Sequence, residues 1–211
     1  MKVLSFLIIV FLTPLLILLN FQLLIFNRNF YKTQANKLNV YEQFTSSQVV
    51  DTEVEKLINY FCCTSELNSD FYSPRELIHL PDVKSLIRII SVQFLLMLGL
   101  LTTCLIILIV KKKIKLLTVG LQWGSVVTLF AISILWIASV LNFDKLFINF
   151  HYLAFRNDYW LLPADANLIR LFPQQFFVNF ANRIALQTVV MSAVILVTSY
   201  ITGRKFVAKR S

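Results

Sequence analysis

Residues 89–141 read IISVQFLLMLGLLTTCLIILIVKKKIKLLTVGLQWGSVVTLFAISILWIASVL, two charge-free apolar stretches on either side of Lys111, Lys112, Lys113, Ile114 and Lys115. A helix needs about 20 apolar residues to cross a hydrocarbon core, and the bilayer admits only segments that satisfy their own backbone groups. Residues 89–110 and 116–141 are therefore expected to span as helices joined by a basic turn. The same criterion selects residues 3–26 and 184–203. The first of these follows Lys2 directly. It is far longer than the roughly 7–15 residues of a signal-peptide core and has no small-x-small cleavage site, so it is expected to be a retained span. With 57% hydrophobic and 15% charged residues, the composition fits a polytopic membrane protein and excludes an ordinary soluble domain.

Lys and Arg in short loops resist translocation, so their positions predict orientation. Lys2, the four lysines of residues 111–115, and Arg204, Lys205, Lys209 and Arg210 of the tail 204–211 fall on one side, with no acidic residue among them. The loops 27–88 and 142–183 hold the remaining basic residues and all 11 acidic ones. The net charge of +9 is thus a topology signal, and it argues no affinity for nucleic acid. Both termini are expected on the cytoplasmic side of the plasma membrane, with both long loops outside.

Those loops are patterned. Val50, Val54, Leu57, Ile58 and Phe61 form the stripe of an amphipathic helix preceded by the possible caps Thr45, Ser46 and Ser47. Ser73, Pro74 and Glu76 read as N-cap, first-turn proline and capping-box glutamate of a short helix carrying His79. Pro81 should interrupt that helix, with Asp82 capping the one that follows. The loop 142–183 carries 11 aromatic residues. A freely solvated loop would not expose so much apolar surface, so helices lying at headgroup depth are expected. For most of these rings, an anchoring aromatic belt explains them equally well. The economical architecture is all-α: a four-helix transmembrane bundle with a helical extracytoplasmic cap formed by two loops, one membrane domain over residues 1–211.

Chemistry is scarce. There is no Gly-rich phosphate loop, G-x-S-x-G elbow, H-E-x-x-H or C-x-x-C. The spans contain no Asp, Glu, Lys, Arg or His, so a proton or ion relay lacks its parts. Cys104 lies in a span, and the neighbours Cys62 and Cys63 are expected to stay unbridged to one another because adjacent cysteines close poorly. A thiol nucleophile is the less favoured reading. What remains is the pair of histidines, His79 and His151, the only two in the chain, both in the outer loops. Imidazole exchanges protons near neutral pH, and Glu76 and Asp82, three residues to either side of His79, are able to fix its tautomer. A polar tip among interfacial aromatics is the bland alternative.

The blocks SPRELIHLPDVKSLI (73–87) and FINFHYLAFRNDYWLLPADANLIRLFPQQFF (147–177), on a four-span frame of this length, resemble the bacterial lipoprotein intramolecular transacylase family. The resemblance carries Glu76, His79, Asp82 and Lys84 in the first block. In the second it carries Phe150, His151, Phe155, Asn157, Asp158, Trp160, Pro163 and Pro173. It implies an enzyme that moves the sn-2 acyl chain of a diacylglyceryl-modified lipoprotein to the α-amino group of its N-terminal cysteine, with no cofactor, metal or acyl-enzyme. The implied partners are that lipoprotein and membrane lipid, and the enzyme would act as a monomer.

Ester and amine then share one molecule, so positioning supplies much of the catalysis, as effective molarities of about 10⁵ M or more illustrate. His151 is the candidate base toward the amine and His79 the donor to the oxyanion or leaving oxygen; the reverse stays open. Glu76 or Asp82 would orient His79, while Asn157 and Asp158 would hold the cap around His151. Lys84, Phe150, Phe155, Trp160 and Arg170 are candidate substrate or cap residues. Arg170 would stabilise negative charge or neutralise Asp158, or else simply snorkel. A sideways cleft roofed by aromatic rings would leave the acyl chains in lipid. Gly120 and Gly124 would permit close helix approach or make room for a chain. Two rival classes stand beside this reading: a non-catalytic membrane organiser, and a metal hydrolase ligated by His79, Asp82 and His151.

Overall fold

A computed structural model describes residues 1–63, 66, 67 and 70–208. The described residues are helical, with no strand: α1 (Lys2–Ile25), α2 (Arg28–Lys37), a 3₁₀ turn (Val40–Gln43), α3 (Ser47–Cys62), α4 (Pro74–Val110), α5 (Ile114–Leu141), α6 (Phe143–Ala154), α7 (Asn167–Leu171) and α8 (Gln174–Ala208). Four of them, α1, α4, α5 and α8, are long and apolar enough to cross a membrane, as the four apolar runs require. The contacts divide into two compact units. One comprises Met1–Phe21, Ser91–Val140 and the chain from Asn182 onward; the other comprises Gln22–Ile90 and Leu141–Ala181. Of the expected basic tail, Lys209 and Arg210 lie outside the described residues.

The first unit is built from the apolar runs. Ile8, Leu12, Leu15 and Leu16 of α1 bury against Leu101, Cys104 and Leu108 of α4. Leu95, Leu96, Val110, Phe130 and Val140 stay well exposed, an apolar surface that water would not tolerate and lipid would. Between the helices, small and polar side chains act as glue. Ser5 Oγ donates to the Leu116 carbonyl at 2.7 Å, Thr13 and Thr128 hydroxyls lie 2.9 Å apart, and Asn20 Nδ2 donates to Thr188 Oγ1 at 3.1 Å. Gly120 and Gly124 serve close approach: a Cβ at Gly120 would stand 3.0 Å from the Ser5 carbonyl oxygen, and one at Gly124 would stand 2.9 Å from Leu12 Cδ2.

In the second unit the amphipathic helix appears as α3. Ser46 Oγ accepts from the Val49 amide at 3.3 Å, and Val50, Leu57 and Ile58 are buried. Val50 and Leu57 join Ala35, Val40, Tyr72, Leu80 and Leu171 in the unit's main core, while Ile58 packs with Tyr31 and Phe176 in a smaller cluster alongside. Helix α2, unmarked by an apolar stripe, is started by Asn27, whose side chain accepts from the Phe30 amide at 3.1 Å.

Two expectations are corrected. Pro81 does not interrupt its helix, which runs from Pro74 without a break. An interior proline costs about 3 kcal/mol, and burial of His79, Leu80 and Ile87 on the same helix outweighs it. Cys62 and Cys63, expected to stay apart, are joined by a disulfide. Helix α3 ends between them, with Cys63 in extended backbone, so the two side chains are not held in consecutive helical positions.

Candidate active site

The site lies wholly within the second unit and starts from the first turn of α4. Ser73 and Glu76 form the expected capping box. The Ser73 amide donates to Glu76 Oε2 at 2.7 Å, and the Glu76 amide donates to Ser73 Oγ at 3.4 Å. The carboxylate is 1% exposed, and its other oxygen, Oε1, accepts from the amide of Leu168 in α7 at 2.6 Å. One buried acid thus terminates two helix starts 92 residues apart. These bonds occupy Glu76 as a clamp and do not join it to His79.

Three residues after Glu76, nearly one turn along the same helix, His79 is buried. Its ring lies edge-on to Phe155, centroids 5.0 Å apart, and Phe155 in turn lies 5.7 Å from the ring of His151. The two imidazoles therefore flank one phenylalanine. His79 Nδ1 is enclosed and makes no hydrogen bond. Burial drives its pKa down to about 4, the charge that His151 can carry pushes the same way, and Asp82 opposes both. At neutral pH His79 is therefore uncharged.

His151 sits in the last turn of α6. Its Nδ1 lies 2.7 Å from the carbonyl oxygen of Phe147, four residues earlier. A carbonyl only accepts, so Nδ1 must carry the hydrogen, and the neutral ring keeps its lone pair on Nε2. Burial lowers this pKa too, while the bond to Phe147 works the other way. Around the ring stand Phe147 at 4.3 Å, Trp160 at 4.9 Å and Phe150 at 5.4 Å between centroids. Tyr152 meets Trp160 edge-on at 5.1 Å. Trp160 is only 8% exposed, and its indole Nε1 makes no hydrogen bond. A buried donor left unmade costs about 1–3 kcal/mol, so both orphan atoms need a reason.

The remaining candidates divide. Asn157 Nδ2 donates to Asp82 Oδ2 at 2.9 Å, and Asn157 Oδ1 accepts from the Tyr159 amide, so these two stand at the site as a pair. Asp82 neither caps a helix nor hydrogen-bonds His79; it acts on that ring through its charge. Asp158 contributes its backbone carbonyl, which accepts from Arg75 Nη2, while the Arg75 guanidinium lies over the Tyr159 ring. Arg170 does not neutralise Asp158. It donates to Asn167 Oδ1 at 3.0 Å and lies over the Phe44 ring at 4.3 Å. The Lys84 ammonium sits 4.0 Å above the Tyr60 ring. Sequence reasoning passed over Phe147 and Arg75. The i, i+4 spacing from Phe147 to His151 was the signal for the first.

Among the described residues, no three His, Cys, Asp or Glu side chains gather closely enough to hold a metal ion, so the trio of the metal-hydrolase reading is not a ligand set. No side chain of helix α6 is fully buried, His151 being half-buried, and Leu153 is 89% exposed, an apolar face suited to lipid contact.

No curated protein matches the chain. Its fold is that of the membrane integral lipoprotein intramolecular transacylase Lit from Bacillus cereus. That structure superposes with a TM-score of 0.86 at 22% identity, over 100% of this chain and 98% of that one. A histidine-to-arginine variant of the same protein matches at 0.83 with 21% identity, over 99% and 94% of the chains. A histidine-to-alanine variant matches at 0.82 with 22% identity, over 100% and 96%. The family model described as lipoprotein intramolecular transacylase Lit matches residues 6–177, most of the chain, and this membrane-integral protein belongs to that family.

Proposed function

We propose that the protein moves the sn-2 acyl chain of a diacylglyceryl-modified lipoprotein to the α-amino group of the same molecule's N-terminal cysteine. The observation that carries this reading is the arrangement of two uncharged imidazoles on either side of Phe155, one with its proton-accepting atom specified by its own helix. In the proposed reaction the amine nitrogen attacks the ester carbon, and His151 Nε2 takes the proton that the nitrogen must lose. The tetrahedral intermediate collapses, the glyceryl C–O bond breaks, and the His151 imidazolium returns that proton to the departing oxygen. His79 is neutral, which suits a hydrogen-bond donor to the developing negative charge better than a source of protons. The products are an amide and a free glyceryl hydroxyl, and no covalent enzyme intermediate is needed.

Topology completes the proposal. The basic turn and tail stay in the cytoplasm, and the histidines work at the outer leaflet, where the exposed apolar face of α6 meets lipid. The protein acts as a monomer, with Asp82 and Asn157 holding the α6–α7 connection beside α4 and Arg75 steadying Asp158 and Tyr159. Mass spectrometry of a reporter lipoprotein from cells with and without the protein tests this. Conversion to an N-acyl, mono-O-acyl form is expected with the wild type and not with His79→Ala or His151→Ala. An unacylated amine in the presence of wild-type protein would defeat the assignment. Conversion surviving both substitutions would defeat the mechanism alone.

A further inference from the structure

The ring beside His151 offers a donor that nothing in the fold accepts. Trp160 follows α6 in the short α6–α7 connection, is packed between His151 and Tyr152, and encloses its Nε1 completely. Packing explains the aromatic body of this side chain and leaves the N–H unexplained, because phenylalanine would fill much of the same space without burying a donor. A buried indole N–H ordinarily finds an acceptor. Here the rings of His151 and Tyr152 pack against the indole, and no acceptor in the fold lies within hydrogen-bond reach of its Nε1.

We propose that Trp160 is a catalytic residue, its indole N–H donating to the acyl carbonyl oxygen as that oxygen becomes negative. This rests on the transacylase reading and adds a member to its machinery. As the amine lone pair forms the N–C bond, the C=O π pair moves onto oxygen, and the indole hydrogen bonds to it without being transferred. On collapse that pair returns to the carbonyl, the C–O bond to the glyceryl group breaks, and the leaving oxygen takes the proton released by nitrogen. A neutral N–H of very high pKa suits the task, since it strengthens its bond as charge grows yet cannot quench the intermediate by protonating it. Proximity to His151 places donor and base on neighbouring rings, so one ester carbonyl and its attacking amine can be served together.

The test uses the full-length protein in lipid nanodiscs with a synthetic diacylglyceryl-cysteinyl lipopeptide. Trp160 is replaced by benzothienylalanine, in which sulfur stands where the N–H was, and separately by phenylalanine as Trp160→Phe. The sulfur analogue keeps the ring system, so it decides the question even where Trp160→Phe folds poorly. Expected is a fall in kcat of about 10²-fold, with KM within threefold of wild type and unchanged thermal unfolding. Fluorinated tryptophan, a stronger N–H donor of almost the same shape, should raise kcat, which a purely structural role would not predict. A sulfur analogue with kcat within twofold of wild type, or one that loses only KM, would overturn the proposal. Wild-type protein that leaves the lipopeptide amine free would instead overturn the transacylase reading, so the two failures are separable.

Discussion

The side-chain amide of Asn157 donates to the carboxylate of Asp82 at 2.9 Å, joining the start of the α6–α7 connection to α4 across 75 residues of sequence. The bond lies beside both histidines in the chain, three residues after His79 and six after His151. Asn157→Leu removes the donor and leaves a half-buried carboxylate without it. A stability loss of about 1–3 kcal/mol is expected, read as a lowered unfolding temperature, together with a larger proportional loss of transacylation rate. Retained rate at full stability would show that the bond plays no part in holding the site.

Glu76 makes a sharper case because both its oxygens accept backbone hydrogens. In Glu76→Gln one oxygen becomes an NH₂ facing an amide N–H, so one acceptor is lost and a donor is turned against a donor. The variant is expected to lose about 1–3 kcal/mol, and Glu76→Ala more, by thermal unfolding in detergent. Activity should fall in step with folded fraction, since the carboxylate serves the fold and not the chemistry.

Acid should unfold the protein through its histidines. The unfolded imidazole titrates near 6.5, and in the fold His79 is held to about 4 and His151 is also lowered. Between those values the unfolded chain binds more protons than the folded one, so stability falls as pH drops from about 6.5 toward 4 and is unaffected by this pair above that window. Denaturation curves across that range, alongside imidazole ¹⁵N spectra showing His151 in its Nδ1–H form at neutral pH, check both parts. A charged His79 at pH 6 would overturn this prediction.

The glycines of the spans separate close approach from mere helix content. Gly120→Ala and Gly124→Leu would press a side chain against the Ser5 backbone and against Leu12, and each should cost about 1–3 kcal/mol or more. Gly99→Ala meets nothing within 4 Å and should be neutral or stabilising by up to about 1 kcal/mol. Parallel unfolding measurements on the three variants give the comparison.

The four spans, the capping box at Ser73 and Glu76, and the stripe of α3 were legible because each is a local pattern: an apolar run, a four-residue motif, a helical period. The partners of these elements were not. Nothing at Glu76 announces Leu168, and nothing at Asp82 announces Asn157, because sequence periodicity reports which face is buried and not what lies against it. Pro81 misled for a related reason. Its local cost is real, yet the burial of Leu80 and Ile87 that offsets it is a tertiary effect. Arg170, read either as answering a negative charge or as snorkelling, lies over the Phe44 ring, since a guanidinium is satisfied by a charge or an aromatic face.

The bond from His151 Nδ1 to the Phe147 carbonyl also bears on how such a site is kept in order. Many imidazole bases are aimed by a carboxylate brought in from a distant part of the chain. Here the aiming acceptor is main chain, one turn away, so the ring's tautomer is decided as that turn winds and no point mutation can delete the acceptor atom. Substitutions elsewhere are left to alter how the substrate is held, while the choice of nitrogen that meets it is insulated from them.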